Sequence, residues 1–257
     1  MKTREIVPFG LEVTGEAPKR GFVELSARQI CDWVAVHRVA VFRNFILESD
    51  DEMLAICSAL GDILHWEFGA VNELKVVADS ANYLYTNHDV PFHWDGAFVG
   101  RIPHYIFFHC LESPEEDCGG ETTFCNTVQL LADTSAEERE SWNNIRVTYS
   151  TEKLVHYGGS FTSQLVAAHP VSGDPVIRYA EPVDDLNPVR LQVDGLPDDQ
   201  HPMFFDRMKQ LLYTPAYCYE HAWRSGDIII ADNHALLHGR RAYRKSANRH
   251  LRRVNIL

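Results

Sequence analysis

The six residues PFHWDG, at positions 91–96, contain two side chains that can bind a metal ion. Successive side chains of an extended strand point to opposite faces, so His93 and Asp95 would share one face and Trp94 would lie on the other. An imidazole nitrogen and a carboxylate oxygen on one face are two ligands of a metal site. The same residues are also typical of an Asp-Gly turn with a surface His–Asp hydrogen bond, so the stretch alone leaves both interpretations open.

A third metal ligand is available in the stretch GDIIIADNHALLHGRRAY, at positions 226–243. A short apolar run predicts a buried strand, and His234 and His238 follow it. A lone histidine beside such a strand is more often a core residue than a ligand. Together with His93 and Asp95, however, a further imidazole would complete two histidines and one carboxylate on one face of an octahedron, the pattern of non-haem Fe(II) oxygenases. The spacing does not choose between His234 and His238.

A basic segment follows Asp232, after which the sequence has no Asp or Glu. In RHLRRV, at 249–254, strand alternation places Arg249 and Arg253 on one face and Arg252 on the other. Two buried guanidinium groups require an anion, because an unpaired buried charge is strongly destabilising. A dicarboxylate fits, since guanidinium binds carboxylate through two hydrogen bonds. Internal salt bridges to Asp or Glu are the alternative.

The composition limits the kinds of partner. The chain has 257 residues with 24 Lys+Arg and 36 Asp+Glu, a net charge of −12, which argues against a nucleic acid or an anionic membrane as partner. We expect a small-molecule substrate, and the sequence leaves the oligomeric state open. The first residues lack the apolar run of a signal peptide, and the six cysteines form no C-x-x-C pair, so we expect reduced thiols in a cytoplasmic protein.

The pattern along the chain predicts a mostly β protein with flanking helices. Three capping boxes, Ser26 with Gln29, Ser49 with Glu52 and Ser135 with Glu138, predict the starts of three helices. A fourth helix is predicted over 198–212, and 184–200 is predicted to be a long polar loop. The predicted strands lie at 39–42, 74–78, 105–111, 121–125, 145–150, 176–179, 216–223, 227–231 and 249–256. Many short strands separated by turns indicate a sandwich or barrel, here as one domain over 1–257 with an N-terminal helical part at 20–61 and a core at 74–257.

Five motifs in order resemble the TauD/TfdA family of Fe(II)/2-oxoglutarate dioxygenases. They are HWD at 93–95, GGETTF at 119–124, HPVSGDPVIRY at 169–179, DN-x4-H at 232–238 and R-x-L-x-R at 249–253. The resemblance implies a double-stranded β-helix (jelly-roll) barrel with Fe(II) at one end, and with 2-oxoglutarate and O2 as cosubstrates. It also implies that the iron ligands are His93, Asp95 and His238.

The same resemblance implies roles for three residues around 2-oxoglutarate. Thr122 and Arg253 match positions that hold the distal carboxylate, and Arg249 matches a position near the C1 carboxylate. The chain departs from the family at His234, where many members have arginine. The family's substrate or cosubstrate contacts near that turn therefore do not carry over directly to this chain.

Three stretches further resemble the PvcB-type oxygenases, which act on isonitriles made from aromatic amino acids: PFHWDGAF, IADNHALLHGR and RHLRRVNI. This resemblance implies oxidation of an aromatic isonitrile carboxylate, by decarboxylative desaturation, to a vinyl isonitrile. Trp66, Phe68 and Phe98 are candidates for an apolar pocket wall. The candidates for other substrate contacts are Arg178, His234 and Arg241.

Other functions fit parts of this pattern. One is a TauD-like hydroxylase of another small carboxylate or a sulfonate. Two more distant ones are a zinc hydrolase that uses the same three ligands to activate water, and a jelly-roll binding protein without catalysis. Neither of the last two requires 2-oxoglutarate chemistry.

Overall fold

The computed structural model describes residues 1–152 and 158–257 and shows a mostly β protein with flanking helices. The helices are α1 Ala27–His37, α2 Asp50–Leu60, α3 Thr127–Asp133, α4 Ala136–Trp142 and α5 His201–Leu212. The first strands are β1 Lys2–Glu5, β2 Leu11–Thr14, β3 Arg20–Gly21, β4 Val39–Arg43, β5 Phe45–Ile46, β6 Val71–Leu74, β7 Val90–His93, β8 Tyr105–Glu112 and β9 Thr122–Asn126. The remaining strands are β10 Arg146–Thr151, β11 Gly159–Gln164, β12 Val166–Ala168, β13 Pro175–Ile177, β14 Arg190–Asp194, β15 Cys218–His221, β16 Ile228–Asp232, β17 Leu236–Arg240 and β18 His250–Ile256.

Two sheets carry or directly flank the residues of the HWD, GGETTF, DN-x4-H and R-x-L-x-R motifs. The larger one has the strand order β1-β2-β4-β16-β8-β18-β6, and the smaller one has the order β15-β9-β17-β7. The two sheets pack face to face, as shown by Phe108 of β8 against Phe124 of β9, with ring centroids 6.5 Å apart. A shared apolar cluster between them also contains Ile229 and Leu236. The arrangement brings strands that are far apart in sequence to one common interior.

The outer face of each sheet is covered by helices. Ile30 of α1 and Met53 of α2 are fully buried in a cluster with Phe42 and Val254 of the larger sheet. Apolar residues of α3, α4 and α5 pack in another cluster that includes Leu237 of the smaller sheet. Because both outer faces are covered, the strands are held rigidly and can fix the side chains that point between the sheets.

The helix starts agree with the capping boxes in the sequence. Ser26, Ser49 and Ser135 are the N-caps of α1, α2 and α4, and each side chain accepts a hydrogen bond from a backbone N–H three residues later. The fourth predicted helix begins later than expected, because residues Asp198–Gln200 form a 3-10 turn before α5. The helix α3 was not predicted.

Two predicted segments differ from the structure. The predicted strand at 74–78 lies earlier, at Val71–Leu74, where it pairs with β18. The predicted polar loop at 184–200 contains β14, which pairs with β10 from Arg146↔Asp194 to Ser150↔Arg190. One side of β14 is exposed, so its polar residues resembled a loop, whereas Val193 on the other side is buried. None of the helices in the described ranges has the length and apolarity needed to cross a membrane.

Candidate metal centre and its cavities

Three of the predicted ligands meet between the two sheets. His93 at the end of β7 lies directly opposite His238 of β17 in the antiparallel register, and Asp95 follows two residues after His93. The Nε2 atoms of both histidines are 3.8 Å from Asp95 Oδ1. This separation is less than twice a metal–nitrogen bond of about 2.1 Å, so one ion fits among the three atoms. His234, the other histidine of the motif, is not part of this group.

The protonation of both imidazoles suits metal binding. His93 Nδ1 lies 2.9 Å from the Pro91 carbonyl oxygen, which only accepts, so Nδ1 carries the proton and Nε2 keeps its lone pair. His238 Nε2 is buried and has no hydrogen-bond partner in the described part of the chain. Burial lowers the pKa of His93 and His238, which keeps both rings neutral. An unsatisfied buried nitrogen is costly, and a metal ion at this point would satisfy it.

Asp95 is held in its ionised form by its neighbours. Burial has the largest single effect and opposes ionisation of the carboxyl group, but Arg253, His238, His93 and the Asn255 hydrogen bond together outweigh it and lower the pKa of Asp95 to about 2. Asn255 donates a hydrogen bond of 2.8 Å to Asp95 Oδ2. Asn233 accepts one from the Asp95 backbone N–H at 2.9 Å. The carboxylate is therefore charged and fixed in position.

Two buried arginines, Arg253 within β18 and Arg249 just before it, have different partners. Arg253 forms an ion pair with Asp95, at 3.1 Å. The Arg249 guanidinium instead donates hydrogen bonds to the Gly120 carbonyl and to Thr122 Oγ1, at 2.8 and 3.2 Å. Thr122 thus lies beside Arg249, whereas the family resemblance implied that Thr122 and Arg253 together hold the distal carboxylate of 2-oxoglutarate.

Arg249 lacks a carboxylate partner among the described residues. It is 5% exposed, and burial, with a further contribution from Arg240, lowers the pKa of its guanidinium to about 9. It lines a small cavity that also touches His93, His238, Thr122 and Arg253. A buried guanidinium that faces a cavity has the charge and geometry to bind an anionic group.

A larger, aromatic cavity opens on the other side of the centre. His93, Asp95 and Arg253 line its floor. The predicted wall residues Trp66, Phe68 and Phe98 all line it, and the other apolar members of the wall include Trp94, Tyr149, Val183 and Val189. Of the described Lys and Arg side chains, Arg253 alone lines this cavity. The cavity therefore combines an apolar, aromatic wall with one cationic side chain, Arg253, beside the metal-ligand side chains.

Three of the predicted substrate contacts lie elsewhere. Arg178 is buried behind the cavity, where it donates to the Asn233 carbonyl and to His234 Nδ1, at 3.0 and 2.6 Å. Arg241 pairs with Glu220 on the outer side of the smaller sheet. Arg178, His234 and Arg241 do not line the aromatic cavity, because sequence position alone does not reveal which side of a sheet or turn a side chain occupies.

A second cluster of His104, His169 and Asp232 has potential ligand atoms within 4.8 Å of one another. Two of its members, however, are already hydrogen-bonded to each other. His169 Nδ1 accepts from the backbone N–H groups of Val171 and Ser172, so Nε2 carries the proton and donates to Asp232 at 3.0 Å. A metal ion would have to displace these bonds, so this cluster supports the turn before His234 rather than a metal.

His234 is expected to make stability depend on pH. Burial, with the charge of Arg178, lowers its pKa from 6.5 to about 3; His104, Asp232 and His169 also face it. Between these values the unfolded chain binds a proton that the folded chain does not, so stability is lost as pH falls from 6.5. His234→Gln keeps an acceptor for Arg178 and should flatten this slope by up to about 1.4 kcal/mol per pH unit. Urea unfolding across this pH range tests it, and an unchanged slope would contradict it.

Sequence reasoning missed Asn255, Asn233 and Glu181, which complete the surroundings of the centre. Asn255 carried a usable signal, because it lies two positions after Arg253 and strand alternation places both on one face. Glu181 lines the aromatic cavity but belongs to no metal or arginine motif. Asn233 follows Asp232 in the DN pair and bridges to Asp95, a contact that only the folded chain reveals.

Comparison with known proteins agrees with this site. The chain is 42% identical to 3-((Z)-2-isocyanoethenyl)-1H-indole synthase from Fischerella ambigua, over 99% of this chain and 94% of that protein. It is 34% identical to tyrosine isonitrile desaturase from Pseudomonas aeruginosa, over 96% of this chain and 87% of that protein. The solved structure of PvcB, an Fe, alpha-ketoglutarate dependent oxygenase from an isonitrile synthetic pathway, superimposes with a TM-score of 0.80 at 32% identity and covers 96% of this chain and 86% of PvcB.

The model of the family described as taurine catabolism dioxygenase TauD, TfdA matches residues 2–255. The match includes the HWD motif, the DN-x4-H motif and both arginines of the C-terminal strand region. The chain therefore belongs to the TauD/TfdA dioxygenase family.

Proposed function

We propose that this protein is an Fe(II)/2-oxoglutarate-dependent oxygenase that converts an aromatic amino-acid-derived isonitrile acid into a vinyl isonitrile. The observation that carries the proposal is the site itself, where a triad of metal-ligand side chains, with the buried His238 Nε2 unpartnered in the described chain, borders both a small cationic cavity and a larger aromatic one. The relatives that make or desaturate isonitriles support the substrate class. We also propose that the two packed sheets form a double-stranded β-helix (jelly-roll) barrel, a proposal that the TauD/TfdA family membership supports.

His93, Asp95 and His238 would hold the iron. Their two neutral imidazoles and one carboxylate are ligand types that suit Fe(II). When bound, the iron would supply the oxidative decarboxylation of 2-oxoglutarate by O2 and the removal of hydrogen from the substrate. The chain itself binds and orients both organic molecules and excludes water.

Arg249 and Thr122 would bind the distal carboxylate of 2-oxoglutarate. The carboxylate would give the Arg249 guanidinium the anionic partner that it lacks among the described residues, and Thr122 Oγ1 lies within 3.2 Å of that guanidinium. Arg253, beside Asp95, would stabilise carboxylate charge close to the metal. This assignment reverses the roles that the family resemblance implied for the two arginines.

The aromatic cavity would bind the isonitrile acid, with its ring against Trp66 and Phe98 and its carboxylate towards Arg253. In the net reaction the acid loses CO2 from its carboxyl carbon and two hydrogens, and a carbon–carbon double bond forms. In the same turnover 2-oxoglutarate and O2 give succinate, CO2 and water. The electrons removed from the acid reduce the second oxygen atom to water, so the reaction balances.

The experiment begins with Fe(II) and 2-oxoglutarate added without oxygen. A visible charge-transfer band is expected from the chelate, and a zinc hydrolase or a non-catalytic binding protein would not give it. Oxygen is then admitted with a tyrosine- or tryptophan-derived isonitrile acid, and succinate and products are measured. Loss of CO2 and two hydrogens, matched by succinate, supports the proposal.

A product that gains one oxygen atom would replace desaturation with hydroxylation. No turnover of either isonitrile acid, with rapid turnover of a sulfonate or an aryloxy acid, would favour the TauD-like hydroxylase instead. These outcomes would change the reaction type or the substrate proposed for the protein. Neither would contradict its assignment as an Fe(II)/2-oxoglutarate-dependent oxygenase.

A further inference from the structure

Glu181 lies in the wall of the aromatic cavity and is attached to the strand that carries His93. Its backbone N–H donates to the Phe92 carbonyl at 2.9 Å. The Phe92 N–H in return donates to Glu181 Oε2, also at 2.9 Å. This reciprocal pair fixes the residue next to β7, so its carboxyl group has a defined position at the cavity wall.

Only one oxygen of the Glu181 carboxyl group is used within the described chain. Oε2 accepts from both the Phe92 N–H and the Tyr213 hydroxyl, the latter at 2.7 Å. Oε1 has no donor among the described residues. The side chain is half-buried and borders both the aromatic cavity and an outer groove. A carboxylate oxygen without a donor at a cavity wall is available to a ligand.

The polar atoms of Asp95 and Tyr149, which also line the cavity, are already paired. Asp95 is occupied by Asn255 and Arg253. The Tyr149 hydroxyl donates to the Arg178 carbonyl and accepts from the Ala180 N–H.

The two tryptophan side chains of the wall also offer no acceptor. The Trp66 N–H already donates to Asn255, and the buried Trp94 N–H can only donate. Of the two carboxylates that line the cavity, Asp95 and Glu181, Glu181 is therefore the one with an oxygen that has no donor among the described residues.

We infer that Glu181 Oε1 accepts a hydrogen bond from a ring donor of the aromatic substrate, the N–H of an indole or the O–H of a phenol. The inference rests on the proposed function and narrows its substrate class to ring systems that carry such a donor. A carboxylate only accepts, so a ring without a donor would leave Oε1 desolvated and unpaired. Sites built on one such hydrogen bond discriminate strongly against analogues that lack it.

Glu181→Gln tests this inference because it changes the hydrogen-bonding group that faces the cavity from an acceptor to a donor. The single carbonyl oxygen of glutamine would stay with the two donors, Phe92 N–H and Tyr213 O–H. Its NH2 group would then face the cavity, where it meets a substrate donor with another donor. The fold and the volume of the side chain are preserved.

The experiment compares two pairs of isonitrile acids. The first pair carries an indole ring and a benzothiophene ring, which have N–H and S, respectively, at the same ring position. The second pair derives from tyrosine and phenylalanine, which differ in the phenol O–H. Dissociation constants are measured without oxygen on enzyme loaded with Fe(II) and 2-oxoglutarate, together with succinate release in air. Asp184→Asn, an exposed carboxylate that borders only the outer groove, is the matched control.

In one of the two pairs, wild type and Asp184→Asn are expected to bind the acid with a ring donor about 10- to 100-fold more tightly than the acid without it. The pair that shows this difference tells whether the substrate ring is an indole or a phenol. In Glu181→Gln the ratio should fall to about one or below. A ratio that persists in Glu181→Gln, or equal affinities in wild type, overturns the role of Glu181 even if succinate release still supports the oxygenase. Absence of coupled succinate with all four acids overturns the proposed function instead.

Discussion

His238→Ala is expected to abolish turnover and iron retention while the protein stays folded. The substitution removes a ligand whose Nε2 has no other partner in the described chain, so the remaining sheet contacts are unaffected. Changes to residues that only support a metal ligand already cost about 10–100-fold, so loss of a ligand should cost more than about 100-fold. Succinate formation, bound iron and a thermal unfolding curve measure the three effects. His93→Ala and Asp95→Ala should also lose turnover and iron, and Asp95→Ala should in addition lower stability because it leaves the buried Arg253 without its ion-pair partner.

His234→Ala is the matched control for this prediction. His234 lies four residues before His238 in the same motif, but its Nδ1 accepts from Arg178 rather than facing the triad. The variant should keep its iron. Loss of iron from His234→Ala together with retention in His238→Ala would show that the ligands had been assigned in the wrong register.

Arg249→Ala is expected to weaken binding of 2-oxoglutarate by about 2–5 kcal/mol, roughly 30-fold to several thousandfold in Kd. The reason is that a carboxylate in the small cavity would lose its buried cation. Titration of 2-oxoglutarate into the Fe(II) enzyme without oxygen, followed by the charge-transfer band, measures the change.

Arg252→Ala provides the control for this second prediction. Arg252 points to the outer side of β18, where it pairs with Asp50 and Glu73. Its removal should leave the affinity for 2-oxoglutarate unchanged. If Arg253→Ala weakens the distal contact and Arg249→Ala does not, then the arrangement implied by the family motif is correct and the one based on the Arg249–Thr122 contact is wrong.

The parts of the fold that depend on local chemistry could be predicted from the sequence. Capping boxes at Ser26, Ser49 and Ser135 act within one helical turn, and those helices begin where expected. Strand β14 was missed because its exposed side is polar and only its pairing with β10 makes it a strand. The β1 strand is fully exposed on its own and is held by its pairing with β2.

The residues of the candidate site also divide into those that local spacing predicts and those that depend on contacts between distant strands. His93 and Asp95 are two residues apart, so strand alternation alone suggested that they act together. The partner of Arg249 and the position of Arg178 depend on how distant strands meet, and neither spacing nor composition contains that information. Glu181 became visible only because the folded chain brings it against β7.

The strand order has a consequence for how the protein is made. β16 lies between β4 and β8, β18 lies between β8 and β6, and β17 lies between β9 and β7. A ribosome releases the chain from its N-terminus, at about 5–20 residues per second, so the outer neighbours emerge long before the strands that join them. Until the last three strands emerge, β4, β8 and β6 have unpaired edges and His93 lacks His238 opposite it. Iron loading must therefore follow synthesis of these strands, and the nascent chain depends on protection from aggregation until then.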